Sequence, residues 1–248
     1  MKFQDYFSGH AADYAKYRPD YPRALFEWLA KQAPSRDVAV DCATGNGQAA
    51  RGLAEFFGRV EALDASADQI ANGEGPPNVH FGVAVAESTG LPDQSADLIT
   101  IAQAFHWLDH PRVYAEARRV LRPGGILAAF GYARFVAEEP VMTIARDLLW
   151  KPLERYWPPE RRLVETGYRT IEFPFDELQA PDVAISLDWT LEDLLAYVST
   201  WSATKNYLRH SDGSLLTQFA DQLVASWPDG VRRQITMPIF VRAGRVVG

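Results

Sequence analysis

The sequence predicts an α/β fold: a doubly wound, mostly parallel sheet with a glycine loop after its first strand. Three observations lead there. Apolar, strand-like runs alternate with amphipathic helical runs from residue 38 to residue 131, the pattern of a parallel sheet with crossover helices. The first strand, ending Val40-Asp41-Cys42, runs into Ala43-Thr44-Gly45-Asn46-Gly47-Gln48, a turn of small residues that opens a helix. Acids recur at successive strand ends: twenty-three residues separate Asp41 from Asp64, and twenty-three separate Asp64 from Glu87.

Taken in order, Phe7, Ala11, Tyr14 and Arg18 stand at helical spacings before Pro19 and Pro22, which predicts a short helix and an extended crossing segment. Leu25, Phe26, Leu29 and Ala30 share one face of a helix from Arg23 to Gln32, stopped by Pro34. The strand 38–42 follows, then a helix 48–57, a strand 60–63, a short helix 66–71 and a strand 79–85. A fourth strand, 97–102, leads to a helix 111–120, and Arg122-Pro123-Gly124-Gly125 turns into a fifth strand, 126–131.

Beyond Tyr132 the regularity breaks. Residues 141–149 form an amphipathic run, Trp157-Pro158-Pro159 interrupts it, and Thr190 with Glu192 and Asp193 marks the start of a helix to Tyr197. Residues 215–225 are amphipathic again, and 235–241, broken by Pro238, is expected as an edge strand. The expected organisation is an N-terminal helical lid over 1–34, a cofactor-binding core over 35–131, a helical insertion or substrate cap with part of the sheet over 132–230, and a C-terminal strand over 231–248 completing the sheet.

Composition narrows the function. Lys and Arg total 25 against 32 Asp and Glu, a net charge of −7, which removes the electrostatic basis for strong nucleic-acid or anionic-membrane binding. A small-molecule partner is expected instead. The lone Cys42 cannot form an internal disulfide and sits inside the first strand as a small hydrophobe; no stretch approaches membrane-spanning length, and the polar N-terminus lacks a secretory apolar core. A cytoplasmic monomer or homodimer is the expectation. The high aromatic content, with seven Trp, is mostly core material.

In a doubly wound sheet, ligands sit at the carboxyl ends of the strands where strand order reverses. Asp41, Asp64, Ala86-Glu87 and Gln103-Ala104 follow the first four strands, and Gly45 and Gly47 let the backbone approach a ligand. The acid precedes the glycines and no Lys-Ser/Thr follows them, which points away from nucleoside triphosphates and toward a cofactor without phosphate, S-adenosylmethionine. Asp64 is placed to accept two charge-assisted hydrogen bonds from ribose hydroxyls. Asp41 is placed to face the cofactor's ammonium, directly or through water, with the methionine portion passing the backbone of Gly45 to Gly47.

These motifs resemble those of the class I S-adenosylmethionine-dependent methyltransferases. The resemblance runs through Asp41-Cys42-Ala43-Thr44-Gly45-Asn46-Gly47, with Ala43 in place of the usual first glycine, Leu63-Asp64-Ala65-Ser66, Ala86-Glu87-Ser88-Thr89-Gly90-Leu91-Pro92, Ser95-Ala96-Asp97-Leu98-Ile99 and Val120-Leu121-Arg122-Pro123-Gly124-Gly125. It covers about residues 36 to 131. It implies a seven-stranded Rossmann-like sheet with an antiparallel last strand, S-adenosylmethionine as cofactor with S-adenosylhomocysteine as product, and cofactor contacts that include Ala43, Ala65, Ala86 and Glu87. Tyr14-Ala15-Lys16-Tyr17-Arg18-Pro19-Asp20-Tyr21-Pro22 and Gln103-Ala104-Phe105-His106-Trp107 resemble the branch holding trans-aconitate-type small-molecule methyltransferases. That likeness implies that the N-terminal segment folds over the cofactor, making Tyr14 and Arg18 contacts, and that the segment around His106 lines the site. Tyr17, Trp107, Arg134 and Trp201 are the candidate acceptor contacts.

Each of these residues has a plainer reading. Glu87 is either a contact near the adenosine or a solvated loop acid. Arg18 and Arg134 are either anion clamps or structural arginines, and Trp107 and Trp201 are either substrate walls or packing. His106, Asp109 and His110 stand at a metal-binding helical spacing, but no further ligand cluster accompanies them and Asp109 before Pro111 is a natural helix start, so no metal is expected. His106 is either a site residue, able to hydrogen-bond substrate or act as a base, or a strand-end histidine with a structural partner. In-line methyl transfer to a carboxylate needs no base; a hydroxyl or amine acceptor makes His106 catalytic. An NAD(P)-dependent oxidoreductase remains a rival, although Gly45-Asn46-Gly47-Gln48-Ala49-Ala50 ends in Ala where a pyrophosphate loop expects Gly. A non-catalytic cofactor-binding protein of the same fold is the other.

Overall fold

The computed structural model describes residues 18–246; Tyr14, Tyr17 and the helix expected around them lie outside the described residues. Two compact units form. The larger holds Asp20–Ala133, Arg162–Ala184 and residues 238–246; the smaller holds residues 18–19, Arg134–Arg161 and Ile185–Met237. Residues 162–184 thus return to the larger unit, where Val164, Tyr168, Ile171 and Phe175 join its core.

The larger unit begins with helix α1 (Arg23–Gln32), which buries Leu25, Phe26, Leu29 and Ala30 on one face. Then come β1 (Val38–Cys42), α2 (Gln48–Leu53), β2 (Arg59–Asp64), α3 (Ala67–Ala71), β3 (Val79–Val83), β4 (Ala96–Ala102), α4 (His110–Val120) and β5 (Leu121–Tyr132). These strands run parallel in the order β3-β2-β1-β4-β5. Such a reversal of order beside β1 is the place where a doubly wound sheet opens for a ligand. β4 is buried along nearly its whole length, as a strand covered on both faces must be. Helix α4 starts at an Asp109 cap and covers the sheet with Val113, Tyr114, Ala117 and Val120.

In the smaller unit, α5 (Val141–Ala145) passes into a π turn over Arg146–Trp150, so the amphipathic run does not form one regular helix. Helix α6 (Arg161–Glu165) and the short strand β6 (Asp176–Glu177) precede β7 (Val183–Trp189). The smaller unit then continues with α7 (Leu191–Ser199), α8 (Ser202–Leu208) and α9 (Ser214–Ser226). Thr190 and Asp193 form a reciprocal capping box on α7.

The last strand, β8 (Arg233–Arg245), corrects two expectations. Among the described residues, the sheet has eight strands instead of seven, because β6 and β7 both pair with β8. β8 is also no edge strand: it runs antiparallel between β5 and β6. Its ladder with β5 begins at Tyr132↔Ile239, so Pro238 falls just outside that ladder and its missing N–H costs no β5 bond. Among smaller differences, α2 stops at Leu53 short of Phe57, where the amides of Phe56 and Phe57 close a turn on the Leu53 carbonyl. Among the described residues, no helix is long and apolar enough to cross a membrane.

At the amino ends of the strands, Asp97 of β4 is fully buried and ties three segments together. One oxygen accepts the backbone N–H groups of Asp37 and Val38, at 3.1 and 2.9 Å, and the other accepts Arg122 Nη1 at 2.8 Å. The Asp97 charge and hydrogen bond in turn raise the Arg122 pKa. Removing this carboxylate takes the side-chain acceptor from two backbone donors and leaves Arg122 with Asp37 as its acid partner. Asp97→Ala is expected to cost about 3 kcal/mol in urea unfolding. A loss within the scatter of the wild-type curve would mean that the bridge contributes little.

Candidate functional site

The turn between β1 and α2 is organised by a carboxylate. Asp41 is fully buried beside Thr100 of β4, its partner in register. Thr44 Oγ1 donates to one carboxylate oxygen at 2.5 Å and Thr100 Oγ1 to the other at 2.8 Å. Burial pushes the Asp41 carboxyl up to about 6, while the Thr44 and Thr100 hydroxyls and the Ala50 amide pull it down and the Asp64 charge pushes it up. With both oxygens engaged inside the protein, Asp41 shapes the loop from within.

The loop itself runs through left-handed conformations at Ala43 (φ +54°), Gly45 (φ +59°) and Gly47 (φ +92°). The two glycines differ in what surrounds them. At Gly47 a Cβ would run into the Phe81 ring at 2.8 Å, a packing constraint; at Gly45 it would meet nothing nearer than Gln69 Oε1 at 4.0 Å. Among the described residues, the space in front of Gly45 is open. Asp64, at the end of β2, closes the corner: its Oδ2 accepts Gly45 N–H at 2.9 Å and its Oδ1 accepts Ser66 N–H at 2.8 Å. Each oxygen of an ionised carboxylate has two lone pairs, so one acceptor position per oxygen remains, enough for the two hydroxyls of a ribose. Arg51 staples the rim, reaching the carbonyls of Asn46 and Glu74 and the carboxylate of Asp20.

Comparison with known proteins meets this corner directly. A methyltransferase-domain family matches residues 40–129. A solved structure of a protein from Anaeromyxobacter dehalogenans, described as a type II methyltransferase, is 45% identical, with a TM-score of 0.88 over 93% of this chain and 98% of that one. The chain belongs to the class I S-adenosylmethionine-dependent methyltransferases. A Dictyostelium discoideum protein described as a methyltransferase is 29% identical over 97% of this chain and 94% of its own length. The YcgJ protein of Bacillus subtilis, 17% identical with a TM-score of 0.52 over 92% of this chain and all of that one, shares the fold.

The corner of this methyltransferase fits S-adenosylmethionine: an open backbone at Gly45, two spare carboxylate acceptors on Asp64 and no cation waiting for phosphate in the loop. The remaining sequence candidates lie as follows. Ala65 is exposed beside Asp64; Ala86 is buried at 7% exposure. Glu87 Oε1 accepts the Asp109 amide at 3.0 Å, at the start of α4. Gln103, with φ +56°, uses its amide as a bracket: Nε2 donates to the Tyr132 carbonyl at 3.0 Å and Oε1 accepts the Tyr132 amide at 3.1 Å. Ala104 precedes a 3-10 turn, Phe105–Trp107, which places His106 Nδ1 3.0 Å from the Tyr168 hydroxyl and leaves Trp107 56% exposed. His110 Nε2 is bonded to the Phe105 carbonyl and Asp109 caps α4, so these residues are engaged in local structure. Burial also pushes the Cys42 thiol up, in keeping with an inert packing residue.

Three candidates belong to the smaller unit. Arg134 stacks over Trp150 at 5.4 Å, and Trp201 is 6% exposed among Phe135, Trp157 and Tyr197. Arg18 is half-buried; after burial, its charge and that of Arg209 hold Lys205 below the usual amine range. The sequence reading missed Thr44, Thr100, Arg51 and Tyr168. A Thr three residues after the strand-end acid is a signal that can be read in advance, but Thr100 and Tyr168 depend on pairing and on a distant segment.

Two outcomes follow from the loop. Ala43 holds a conformation that disfavours a side chain, so Ala43→Gly is expected to stabilise the fold by about 1 kcal/mol and raise Tm by roughly 2–4 °C; an unchanged or lower Tm would remove the strain. Asp41 binds its proton more tightly folded than unfolded, so its contribution to stability is fully present below about pH 4 and is lost as pH rises through about 6. The stability difference between wild type and Asp41→Asn, from urea unfolding, is therefore expected to fall by on the order of 2–3 kcal/mol between pH 4 and 7. A flat difference would place the Asp41 pKa near its ordinary value.

Proposed function

We propose that this methyltransferase acts on a small molecule and methylates a carboxylate oxygen. The observation that carries the cofactor half of this reading is Asp64, which keeps two acceptor positions beside the open backbone of Gly45. Support for the acceptor half is chemical. A net charge of −7 disfavours polyanionic acceptors such as nucleic acid. A carboxylate already carries the lone pair that displacement needs, and the segments 14–22 and 103–107 resemble those of enzymes acting on small acids.

S-adenosylmethionine, when bound, supplies a methyl group on a sulfonium, which the acceptor's lone pair takes in line, the new O–C bond forming as the S–C bond breaks and S-adenosylhomocysteine leaves. The chain's contribution is alignment and exclusion of water. Asp64 holds the ribose, Gly45 gives the cofactor backbone room, and Asp41 acts through the loop it shapes. Ala65, Ala86 and Glu87 are assigned to the adenosine side, and Gln103 and Ala104 to the rim of the cofactor site. Tyr14 and Arg18, in the N-terminal segment before helix α1, are assigned as further cofactor contacts on the resemblance of residues 14–22. Tyr17, Trp107, Arg134 and Trp201 are assigned to the acceptor. A cytoplasmic setting without membrane or nucleic-acid partners fits this chemistry.

Incubation with methyl-labelled S-adenosylmethionine and panels of small carboxylic acids, phenols and amines decides the acceptor. The expected product is a methyl ester, whose label is released by mild base. Label that survives base as an ether or N-methyl group would overturn the carboxylate assignment.

A further inference from the structure

Where β4 ends, a side chain takes over the work of the backbone. In a parallel pair, a residue donates its N–H to one residue of the neighbouring strand and accepts, at its carbonyl, the N–H of the residue two further along. Gln103 keeps the first half of this pattern, its amide donating to the Phe130 carbonyl of β5 at 2.8 Å. The second half passes to its side chain. Oε1 accepts the Tyr132 amide at 3.1 Å, the bond due to the Gln103 carbonyl, and Nε2 donates to the Tyr132 carbonyl at 3.0 Å, the bond due to the next inward amide of a continuing strand. The backbone meanwhile turns out of the sheet at φ +56°, a region that a glutamine occupies only where its surroundings impose it. Gly131, between the two β5 residues that Gln103 bonds, makes room for the exchange. A Cβ there would stand 2.0 Å from Gln103 Oε1 and 3.0 Å from the Phe240 ring.

We propose that the Gln103 side chain is a positioning residue for the amino-acid end of the cofactor: by completing the sheet in place of its own carbonyl, it releases that carbonyl to accept a hydrogen bond from the cofactor's ammonium. A carbonyl drawn out of its ladder needs another donor, and an ammonium brings three. Strand order sets the direction. β1 lies between β2 and β4, so a cofactor whose ribose sits on Asp64 of β2 and whose chain crosses the Gly45 loop after β1 runs toward the end of β4. Gly131 belongs to the same device, because a side chain at that position displaces the Gln103 amide from Tyr132. The direction rests on the reading of Asp64 as the ribose site; the exchange of side chain for backbone does not.

The test is calorimetric titration of the full-length protein with two probes: S-adenosylhomocysteine, which carries the amino-acid end, and methylthioadenosine, which has the same adenosine and thioether without it. Gln103→Met keeps the length of the side chain and removes both amide bonds; Gly131→Ala keeps Gln103 and drives its amide off Tyr132. Both variants are expected to bind S-adenosylhomocysteine roughly tenfold more weakly and methylthioadenosine as wild type does. A bracket that served the sheet alone would move both affinities together, or neither. Equal losses or no loss in a folded variant would therefore overturn the proposal and leave the ribose reading standing; a wild type that binds neither probe would overturn both. Should neither variant fold, the carbonyl-carbon chemical shift of Gln103 in the isotope-labelled wild-type protein decides. It is expected to move with S-adenosylhomocysteine and not with methylthioadenosine, and an equal response to the two would overturn the proposal.

Discussion

Asp41 carries a carboxylate with no solvent around it, and the hydroxyls of Thr44 and Thr100 close on its two oxygens from the loop and from the neighbouring strand. Burying an acid is costly unless donors surround it. Meeting that cost curls the chain around Asp41 and ties the end of β1 to β4. The loop is thereby held in left-handed turns at three of its residues, one of them an alanine. Gly45, the position proposed for the cofactor's approach, sits in this turn.

The corner then extends outward through polar brackets at the carboxyl ends of the strands. Asp64 joins the loop to the start of α3, Arg51 joins it to Asp20 and Glu74, and Gln103 joins the end of β4 to the end of β5. At the opposite ends of the strands, Asp97 performs a similar task with Arg122 and two backbone amides. Charged groups inside this sheet therefore serve register and loop shape, and the ligand-facing capacity left over is concentrated on Asp64.

The parallel sheet and the cofactor corner could be read from residue order because each rests on local signals: alternating strand and helix runs, Ser66 and Asp109 as caps, and acids at matched strand ends. β7 was not read in advance, although Ile185, Leu187 and Trp189 alternate with Ser186 and Asp188 along it. What residue order could not supply was the direction in which a polar group spends its hydrogen bonds. Asp41 and Gln103 stand where ligand contacts were expected, yet their side chains are engaged with protein groups. Tyr168 was silent because its position relative to His106 depends on Arg242 and a segment more than sixty residues downstream.

The claim on which all of this turns is that Asp64 presents its two remaining acceptor positions to the cofactor's ribose. Calorimetric titration of S-adenosylhomocysteine into wild type and Asp64→Ala tests it most directly, with thermal unfolding recorded alongside. The account predicts an affinity loss of about 1–3 kcal/mol in a variant that remains folded. Equal affinity in a folded Asp64→Ala protein would contradict it.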